Sequence, residues 1–442
     1  MRSRTGWPSS SKGSTPTQSH TVLPFSKIEK GDAVTGSDPG SRARAVVELL
    51  GQGRFDEVEE LLAPSLRALV PTGGLGAAWL AGTGGNGAVR AVGEARCDPD
   101  GPVRVPVTFE RGLLTAVVSF DEAGLLDGLR VDDPSAPSWT PPPYARQEAF
   151  DEHEVTVGSG EPAVPGTLAV PRGTGPWPGV VLLAGGGPFD RDGTTGPNKP
   201  LKDLAWGLAG LGVAVLRFDK VTCAHPGHVP PTMTDEYVPH AVAAVRLLRE
   251  RADVGRVFVA GHSMGGKVGP RVAAAEPSVA GLVLLAGDAE PMHRAAVRVV
   301  RHLAALDPGA RAAVETFERQ AAAVEDPGLS ADTPAAALPF GLPGSYWLDL
   351  RGYDPVASAA ALDKPMLILQ GGRDYQVTVS DDLARWRAGL AHRTDVTFRV
   401  HDADDHFFFP GTGPVTPADY TRPQHVDPEV VSDIAAWLGR YS

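Results

Sequence analysis

The chain has 442 residues, of which 42% are hydrophobic, so it is long and apolar enough to form two folded domains with full cores. Its formal net charge at pH 7 is -12 with no basic block to offset it, which argues against binding to nucleic acid or to an anionic membrane surface. Cys97 and Cys223 are the only cysteines, too few for a disulfide framework or a cysteine metal site, and we expect a protein of the reducing cytoplasm.

The first 132 residues predict a tail followed by a small domain. Residues 1–39 are rich in Ser, Thr, Gly and Pro and lack the apolar core of a signal peptide, so we expect a disordered tail. From residue 40 apolar residues recur at helical spacing, which predicts two short helices. Alternating segments with turns between them then predict antiparallel strands at 87–97, 103–109, 112–120 and 125–131, with turns at 98–101 and 110–112. This order favours a small α+β domain over 40–132.

A different pattern follows a proline-rich stretch. Residues 133–150 interrupt both periodicities and predict a linker. From 151 to 442 predicted strands alternate with predicted helices, and near-continuous apolar strands joined by helical crossovers favour a mostly parallel, eight-stranded sheet with helices on both faces. The predicted strands are 153–157, 166–170, 179–183, 213–218, 256–260, 281–286, 365–370 and 396–400, and the helices are 201–211, 235–252, 266–275, 380–391 and 428–441.

One interval of this second domain is longer than a crossover needs. Residues 288–362 separate two predicted strands, and a structureless loop of that length is uncommon in a compact domain. Helical periodicity occurs at 292–306 and 309–324, and Tyr346 and Trp347 stand near the end of the interval. We therefore expect a helical lid over the active site.

A serine stands between two glycines where the fifth predicted strand of this series passes into a helix. The segment Gly261-His262-Ser263-Met264-Gly265 matches G-x-S-x-G, the nucleophile elbow. Such a turn strains the serine backbone and brings its neighbours close, so the glycines avoid Cβ clashes. The pattern also arises by chance in a chain with 52 glycines, but the strand before it and the helix after it favour Ser263 as a nucleophile.

Partners for such a serine follow the last two predicted strands. A serine hydroxyl needs a histidine to accept its proton and an acid to orient that histidine. Asp374 comes just after the strand 365–370, and His406 follows the strand 396–400. Taken singly, such residues are usually turn or solvated side chains, but together they predict a triad. The competing acids, which resemble helix caps or lie too near His406 along the chain, are Asp381, Asp382, Asp404 and Asp405.

Acyl transfer also needs hydrogen-bond donors for an oxyanion. We expect one donor to be the N–H of Met264, at the start of the helix after the elbow. The second would come from Gly185-Gly186-Gly187-Pro188, after the third predicted strand. We expect Gly186 to be this donor, with Gly187 as the next candidate, because Pro188 has no N–H to donate. A phosphate-binding loop is the alternative, but no G-K-[ST] follows these glycines.

With these residues in place, the chain resembles serine hydrolases of the α/β-hydrolase fold, and among them bacterial esterases with an N-terminal DUF3887-like domain. The likeness runs from residue 41 to the C-terminus. Its marks are the elbow and the segments 185–193 (GGGPFDRDG), 198–200 (NKP), 216–220 (LRFDK) and 371–377 (GGRDYQV). The resemblance implies a carboxylesterase for small or medium acyl groups, related to dienelactone hydrolases and acyl-peptidase catalytic domains, and an N-terminal domain similar to NTF2-like or cystatin-like modules.

We expect a reaction in which neither a metal nor an organic cofactor takes part, and a small-molecule ester as the partner. Many relatives have His-Gly where this chain has Ala184-Gly185, and an Arg-Gly after the lysine where it has Val221-Thr222, which concerns the substrate class more than the chemistry. We expect substrate contacts from Gly187, His262, Tyr346, Trp347 and Tyr375. Peptidase, thioesterase, lactonase and acyltransferase activities stay open, as does a non-catalytic scaffold. Gating, dimerisation or packing are alternative roles for the N-terminal domain.

Overall fold

The computed structural model describes residues 38–441 apart from gaps at 64–65, 68–73, 84–85, 98–101, 136, 161, 226–227 and 307–310. The predicted tail, except for its last two residues, and the predicted turn at 98–101 lie outside the described residues. The chain divides into two compact units, one ending at Ser135 and the other running from Ala136 to Ser442. Within the described ranges, no helix is both long and apolar enough to cross a membrane.

The first unit combines helices with an antiparallel sheet. Its helices are α1 (Pro39–Gly51), α2 (Phe55–Glu59) and α3 (Gly74–Thr83), of which the sequence predicted the first two. Its strands are β1 (Val89–Val92), β2 (Arg96–Cys97), β3 (Val103–Phe109), β4 (Gly112–Phe120) and β5 (Leu126–Asp132). The α1 residues Val46 and Val47 are fully buried in one cluster with Val105 and Val107 of β3. Burial of this apolar helix face against the sheet forms the core of the unit.

The predicted strand 87–97 is wrong in one respect, because it consists of two strands rather than one. Both β1 and β2 pair with β3, and the ladder between them stops beside Pro106. The Gly93 N–H still donates to the Pro106 carbonyl at 2.7 Å. Proline has no N–H to donate in return, so the antiparallel ladder is interrupted at this point.

The second unit contains the eight predicted strands in one sheet, in the order β13-β12-β11-β10-β8-β9-β7-β6. The strands are β6 (Phe150–Val157), β7 (Val164–Pro171), β8 (Trp177–Leu183), β9 (Ala214–Phe218), β10 (Val254–His262), β11 (Leu282–Leu285), β12 (Met366–Gly371) and β13 (Val396–His401). The sheet is mixed, since β7 runs antiparallel to both β6 and β9. The link from β6 to β7 is too short for a crossover, and such a link joins antiparallel strands.

Helices cover both faces of this sheet. The helices around the strands are α4 (Pro200–Gly210), α5 (Val221–Ala224), α6 (Met233–Arg249), α7 (Met264–Ala275), α12 (Ala384–Gly389) and α13 (Pro428–Leu438). Along β8, Val181 and Leu183 belong to the core shared with α6 and α7, whereas Val180 and Leu182 belong to the core shared with α4 and α13. Burial on both faces explains the continuous apolar runs from which the strands were predicted.

Helices also fill the long interval between β11 and β12. They are α8 (Met292–Leu306), α9 (Arg311–Glu325), α10 (Gly344–Arg351) and α11 (Pro355–Ala360). Val324, Leu329, Leu338 and Trp347 form a small buried cluster of their own within this interval. The described parts of the interval, 288–306 and 311–362, are therefore packed helical structure rather than a long loop, and we call residues 288–362 the lid segment.

Candidate active site

The elbow is a strained turn between β10 and α7. Ser263 has φ 54° and ψ -120°, and its N–H donates to the Leu285 carbonyl at 2.8 Å. A Cβ on Gly261 would lie 2.1 Å from the Gly265 carbonyl oxygen, and a Cβ on Gly265 would lie 2.5 Å from the carbonyl oxygen of Leu183. Both glycines are thus required by close backbone approach. This left-handed backbone at a non-glycine residue presents the half-buried Ser263 side chain at the end of the strand.

Replacing Gly265 with alanine is expected to lower the free energy of unfolding by about 1–3 kcal/mol or more, as overpacked cores do. The added methyl group would press on the backbone of β8, which cannot move away as a flexible side chain can. Thermal or urea unfolding of Gly265→Ala measures the loss. Gly439→Ala is the matched control, because its new Cβ would lie 3.5 Å from the nearest atom. Equal stability of the two variants would contradict this account of the elbow.

Asp374 and His406 meet at the same edge of the sheet as the elbow. His406 Nδ1 lies 2.7 Å from Asp374 Oδ2, and both side chains are buried. Asp374 Oδ1 accepts hydrogen bonds from the N–H groups of Gln376 and Val377, at 2.8 and 3.0 Å, which fixes the carboxylate. With Nδ1 donating to the carboxylate, the lone pair of His406 is on Nε2, the atom that can accept a proton.

His262 brings the elbow and the histidine loop together. Its ring lies 4.7 Å from the ring of His406 and is stacked on Phe407 at 5.2 Å. Its Nε2 lies 2.8 Å from the His406 carbonyl oxygen, which an N–H on that nitrogen can bond. Burial, followed by the charge of His406, lowers the pKa of His262 to about 3, so this residue stays neutral. We expected a substrate contact here, and the structure shows packing and a backbone hydrogen bond instead.

Of the competing acids, Asp381 and Asp405 have hydrogen-bond partners other than His406, whereas the two carboxylate oxygens of Asp404 have none among the described residues. Asp381 Oδ2 accepts from Thr378 Oγ1 at 2.7 Å, as a capping residue does. Asp405 Oδ1 accepts from the N–H groups of Phe407 and Phe409 and so shapes the loop that carries His406. Asp404 is fully buried, and burial, together with the nearby Asp427, raises its pKa to about 8.

Asp382 has a structural role that the sequence did not indicate. It lies in the first turn of the helical segment Val379–Leu383, as expected of a first-turn acid, and its side chain is fully buried. Its Oδ1 accepts from the N–H groups of Ala289 and Glu290 at the start of the lid segment, and Oδ2 accepts from the Thr378 N–H. Asp382 therefore ties the lid segment to the loop after β12. The residues involved are about ninety positions apart, so no local pattern predicts this contact.

Gln370, also missed from the sequence, supports Asp374. Its Nε2 donates to Asp374 Oδ2 at 3.2 Å and to the Val377 carbonyl at 2.8 Å, from a position buried at the end of β12. A single amide in an otherwise apolar strand was the one available signal, since a buried polar group needs a partner.

The pKa of His406 is raised above its usual value. Burial lowers this pKa, but the carboxylate of Asp374, with smaller effects from Asp405 and Asp288, outweighs burial. The arrangement stabilises the imidazolium that forms when the histidine accepts a proton. A histidine of this kind can serve as a base at neutral pH and return the proton later.

The raised pKa of His406 predicts how the activity depends on pH. His406 must be neutral to accept the serine proton, so kcat/KM should fall as the pH drops through its pKa. Because that pKa is raised, the acid limb is expected above the ordinary histidine value of about 6.5. Initial rates of ester hydrolysis between pH 5 and 9 measure the limb, and a midpoint below the ordinary value would contradict the arrangement.

The glycine loop after β8 lies against the elbow. A Cβ on Gly185 would lie 3.3 Å from Ser263 Cβ, and one on Gly186 would lie 3.5 Å from Met264 Cε. Gly187 has φ +105°, a conformation that favours glycine. Among the residues that the structure describes, the N–H groups of Gly186 and Met264 have no acceptor. Two unoccupied donors beside a half-buried serine are what a negatively charged oxygen requires.

The motif residues around this loop form ion pairs. Buried Arg217 donates to Asp192 at 2.9 Å and to Glu152 at 2.7 Å. Arg191 pairs with Asp219 at 2.9 Å, which joins the end of the glycine loop to the segment after β9. These residues hold the loops in place and do not belong to the reacting groups.

Like His262, two further residues expected to contact the substrate, Tyr346 and Trp347, have buried side chains in this structure. Tyr346 is 2% exposed, with its hydroxyl on Glu236, and Trp347 is 0% exposed within the small core of the lid segment. Neither ring presents a surface to a ligand, because α10 turns both inward to complete apolar clusters. Tyr375 is half-buried, stacks on His302 at 4.9 Å and lines a cavity of about 390 Å³ beside Asp374. Gly187 is exposed in the glycine loop.

In the part of the chain that the structure describes, no group of three or more His, Cys, Asp and Glu side chains could hold a metal ion.

The sequence model of the alpha/beta hydrolase family matches residues 180–412. Esterase EstD of Thermotoga maritima is 37% identical over 333 residues, which cover 75% of this chain and 77% of EstD.

Solved structures that match part of this chain include esterases at low sequence identity. An esterase of Pyrococcus furiosus is 18% identical with a TM-score of 0.44, covering 69% of this chain and 97% of that chain. The esterase domain of a Rhodothermus marinus protein is 19% identical with a TM-score of 0.42, covering 66% of this chain and 99% of that one. On the family match and the likeness to EstD, the chain belongs to the alpha/beta hydrolase family and is an ester-hydrolysing enzyme of the carboxylesterase type.

Proposed function

We propose that the protein hydrolyses carboxylic esters of small or medium acyl groups through an acyl-enzyme on Ser263, with His406 as base and then acid and Asp374 as the group that orients it. The observation that carries this proposal is the buried 2.7 Å contact between His406 Nδ1 and Asp374 Oδ2 at the sheet edge where the Ser263 turn is strained. Met264 and Gly186 supply the oxyanion donors.

Acylation begins with attack of Ser263 Oγ on the ester carbonyl carbon. His406 Nε2 takes the hydroxyl proton while the carbonyl oxygen becomes an oxyanion that accepts from the N–H groups of Met264 and Gly186. The imidazolium then gives the proton to the alcohol oxygen as the C–O bond breaks. The alcohol leaves, and the acyl group stays on Ser263.

Deacylation repeats these steps with water. His406 takes a proton from water, the hydroxide attacks the acyl carbon, and a second oxyanion forms at the same donors. The proton then passes to Ser263 Oγ as the acyl–serine bond breaks, which releases the carboxylic acid. No metal or organic cofactor enters either half of this proposed reaction.

Active-site labelling tests the proposal. A fluorophosphonate reacts with an activated serine and forms a stable adduct, and tryptic mapping by mass spectrometry identifies the modified residue. We expect one adduct per chain, on Ser263, and none in Ser263→Ala. An unlabelled wild-type chain would favour a non-catalytic scaffold. A label on another serine would assign the nucleophile to that serine instead of Ser263.

A substrate panel tests the acyl class. We expect p-nitrophenyl acetate and butyrate to be turned over faster than long-chain esters, and simple esters faster than matched thioesters, peptides and lactones. Product mass spectrometry with an added alcohol separates hydrolysis from acyl transfer. A strong preference for a thioester, a peptide or a transfer product would replace the ester assignment while leaving the serine chemistry in place, because fold alone does not choose among these substrates.

The domain organisation of the chain is a separate proposal. We propose that residues 40–132 form a DUF3887-like domain, joined by a linker over 133–150 to a catalytic domain over 151–442. The antiparallel sheet β1–β5 with α1 packed on it supports an independent α+β unit. Analytical ultracentrifugation of the full chain tests the homodimer that such a unit could form.

A further inference from the structure

Four side chains form a buried chain of hydrogen bonds that leads from the lid segment to the glycine loop. We call Lys220, Glu236, Tyr237 and Tyr346 the Gly185 network. Lys220 follows β9, Glu236 and Tyr237 belong to α6, and Tyr346 belongs to α10. All four are less than one tenth exposed.

The network ends on the carbonyl oxygen of Gly185. Lys220 Nζ donates to this oxygen at 3.0 Å, and the Tyr237 hydroxyl donates to it at 2.6 Å. Lys220 Nζ also donates to the Tyr237 oxygen at 2.7 Å and pairs with Glu236 Oε1 at 2.7 Å. The three N–H donors of the ammonium therefore all have partners.

Such an arrangement needs an explanation other than stability. Removing an ammonium and a carboxylate from water is unfavourable, and a well-packed apolar pair is often as stable as a buried ion pair. The Lys220–Glu236 pair is nevertheless buried directly beneath the loop that lies against Ser263. Its position favours a role in fixing that loop.

The geometry of the peptide unit between Gly185 and Gly186 shows which group the network orients. The carbonyl of Gly185 and the N–H of Gly186 belong to one planar trans unit and point in opposite directions. Holding the Gly185 oxygen towards Lys220 and Tyr237 therefore sets the direction of the Gly186 N–H. Because three consecutive glycines allow many backbone conformations, this peptide could otherwise rotate.

The other end of the network is in the lid segment. The Tyr346 hydroxyl donates to Glu236 Oε2 at 2.5 Å and lies 3.6 Å from Met264 Sδ. Tyr346 thus contacts Glu236, which holds Lys220, and also the side chain of the residue that provides the other donor. One lid residue is connected to both sides of the proposed oxyanion site.

We propose that the Gly185 network positions the Gly186 N–H for the oxyanion and couples the lid segment to it through Tyr346. This inference rests on the proposed function of Ser263 and its donors. Lys220, Glu236, Tyr237 and Tyr346 are positioning residues in this account, since none of them touches the substrate.

Three tyrosine-to-phenylalanine variants test the coupling. Tyr237→Phe removes one of the two donors to Gly185, and Tyr346→Phe removes the lid contact to Glu236. Tyr353→Phe is the matched control, because Tyr353 also lies in the lid segment and its hydroxyl donates to the Lys267 carbonyl at 2.9 Å, outside the network. Each change removes one hydroxyl, and thermal unfolding confirms that the variants fold.

The expected loss is in kcat, because an oxyanion forms only in the transition state. We expect kcat for p-nitrophenyl butyrate to fall about tenfold or more in Tyr237→Phe and Tyr346→Phe, up to the ~10²–10³-fold loss of one whole donor. KM should change less than about threefold, and the inhibition constant of a trifluoromethyl ketone, which forms a tetrahedral adduct, should rise in parallel with the fall in kcat. Tyr353→Phe should match the wild type.

The outcomes separate this inference from the proposed function. If the wild type is labelled at Ser263 by a fluorophosphonate but Tyr237→Phe and Tyr346→Phe behave like Tyr353→Phe, the network has no positioning role. A fall in kcat without weaker ketone binding would also overturn it, because the loss would then not concern the oxyanion. If the wild type is not labelled at Ser263, the proposed function itself fails, and this inference fails with it.

Discussion

Replacing Ser263 with alanine is expected to lower kcat for ester hydrolysis by about 10⁵–10⁶-fold, as loss of a catalytic serine does elsewhere. The alanine removes the nucleophile, while the strained turn and the donors at Met264 and Gly186 persist. Hydrolysis of p-nitrophenyl butyrate measures the loss.

The control for this variant is Ser432→Ala, which removes an exposed hydroxyl whose one hydrogen bond is to the Pro428 carbonyl of its own helix. This variant should keep wild-type kcat and KM. Circular dichroism and thermal unfolding should show both variants folded. Ser263→Ala with more than about one hundredth of wild-type activity would contradict a mechanism in which this serine is acylated, given the size of the expected loss.

Replacing Asp374 with asparagine is expected to lower kcat by about 10⁴-fold, the size of effect seen when a triad acid becomes an amide. The amide can donate a hydrogen bond to His406 Nδ1, which favours the tautomer with its proton on Nε2, where a base is needed. Loss of the carboxylate charge also removes what raises the pKa of His406, so the acid limb of kcat/KM should move to lower pH.

Asp381→Asn is the matched control for this change. Asp381 was a competing acid in the sequence, and in the structure its carboxylate accepts from Thr378 and Ser380 rather than from a histidine. Its amide variant should keep wild-type kcat and the wild-type pH profile. A large loss in Asp381→Asn together with a small one in Asp374→Asn would exchange the roles of the two acids.

Much of the fold of the second unit could be predicted from local patterns, because strands that are buried on both faces appear in the sequence as apolar runs. The inner strands β7 to β12 lie where those runs occur, whereas the edge strand β6 is largely polar and exposed. The longer helices between the strands follow from periodicity. The direction of β7 could not be read in the same way, since an apolar strand looks alike in both directions. The short link between β6 and β7 was the one feature of the sequence that indicated an antiparallel pair.

The triad candidates were predictable for a related reason. Ser263, Asp374 and His406 each follow a strand of a sheet whose neighbouring strands β10 to β13 are parallel, so their carboxyl ends share one edge. Chain order and strand positions therefore suffice to bring them together. Their catalytic roles stay a proposal that the two variants above test.

Side-chain contacts between distant segments could not be predicted. Tyr346 and Trp347 were expected to contact the substrate, yet both complete buried clusters. Lys220 was visible in a motif, but its partners on α6 lie about sixteen residues away and give no periodic signal for a polar contact. Contacts of this kind depend on how helices pack on the sheet and not on local spacing.

The most direct test of the site is a crystal structure of the enzyme after reaction with a phosphonate ester, which mimics the tetrahedral intermediate. We expect a phosphorus atom bonded to Ser263 Oγ, with its phosphoryl oxygen about 2.7–3.1 Å from the backbone nitrogens of Met264 and Gly186. A phosphorus bonded to another residue, or a phosphoryl oxygen that points away from both nitrogens, would contradict it.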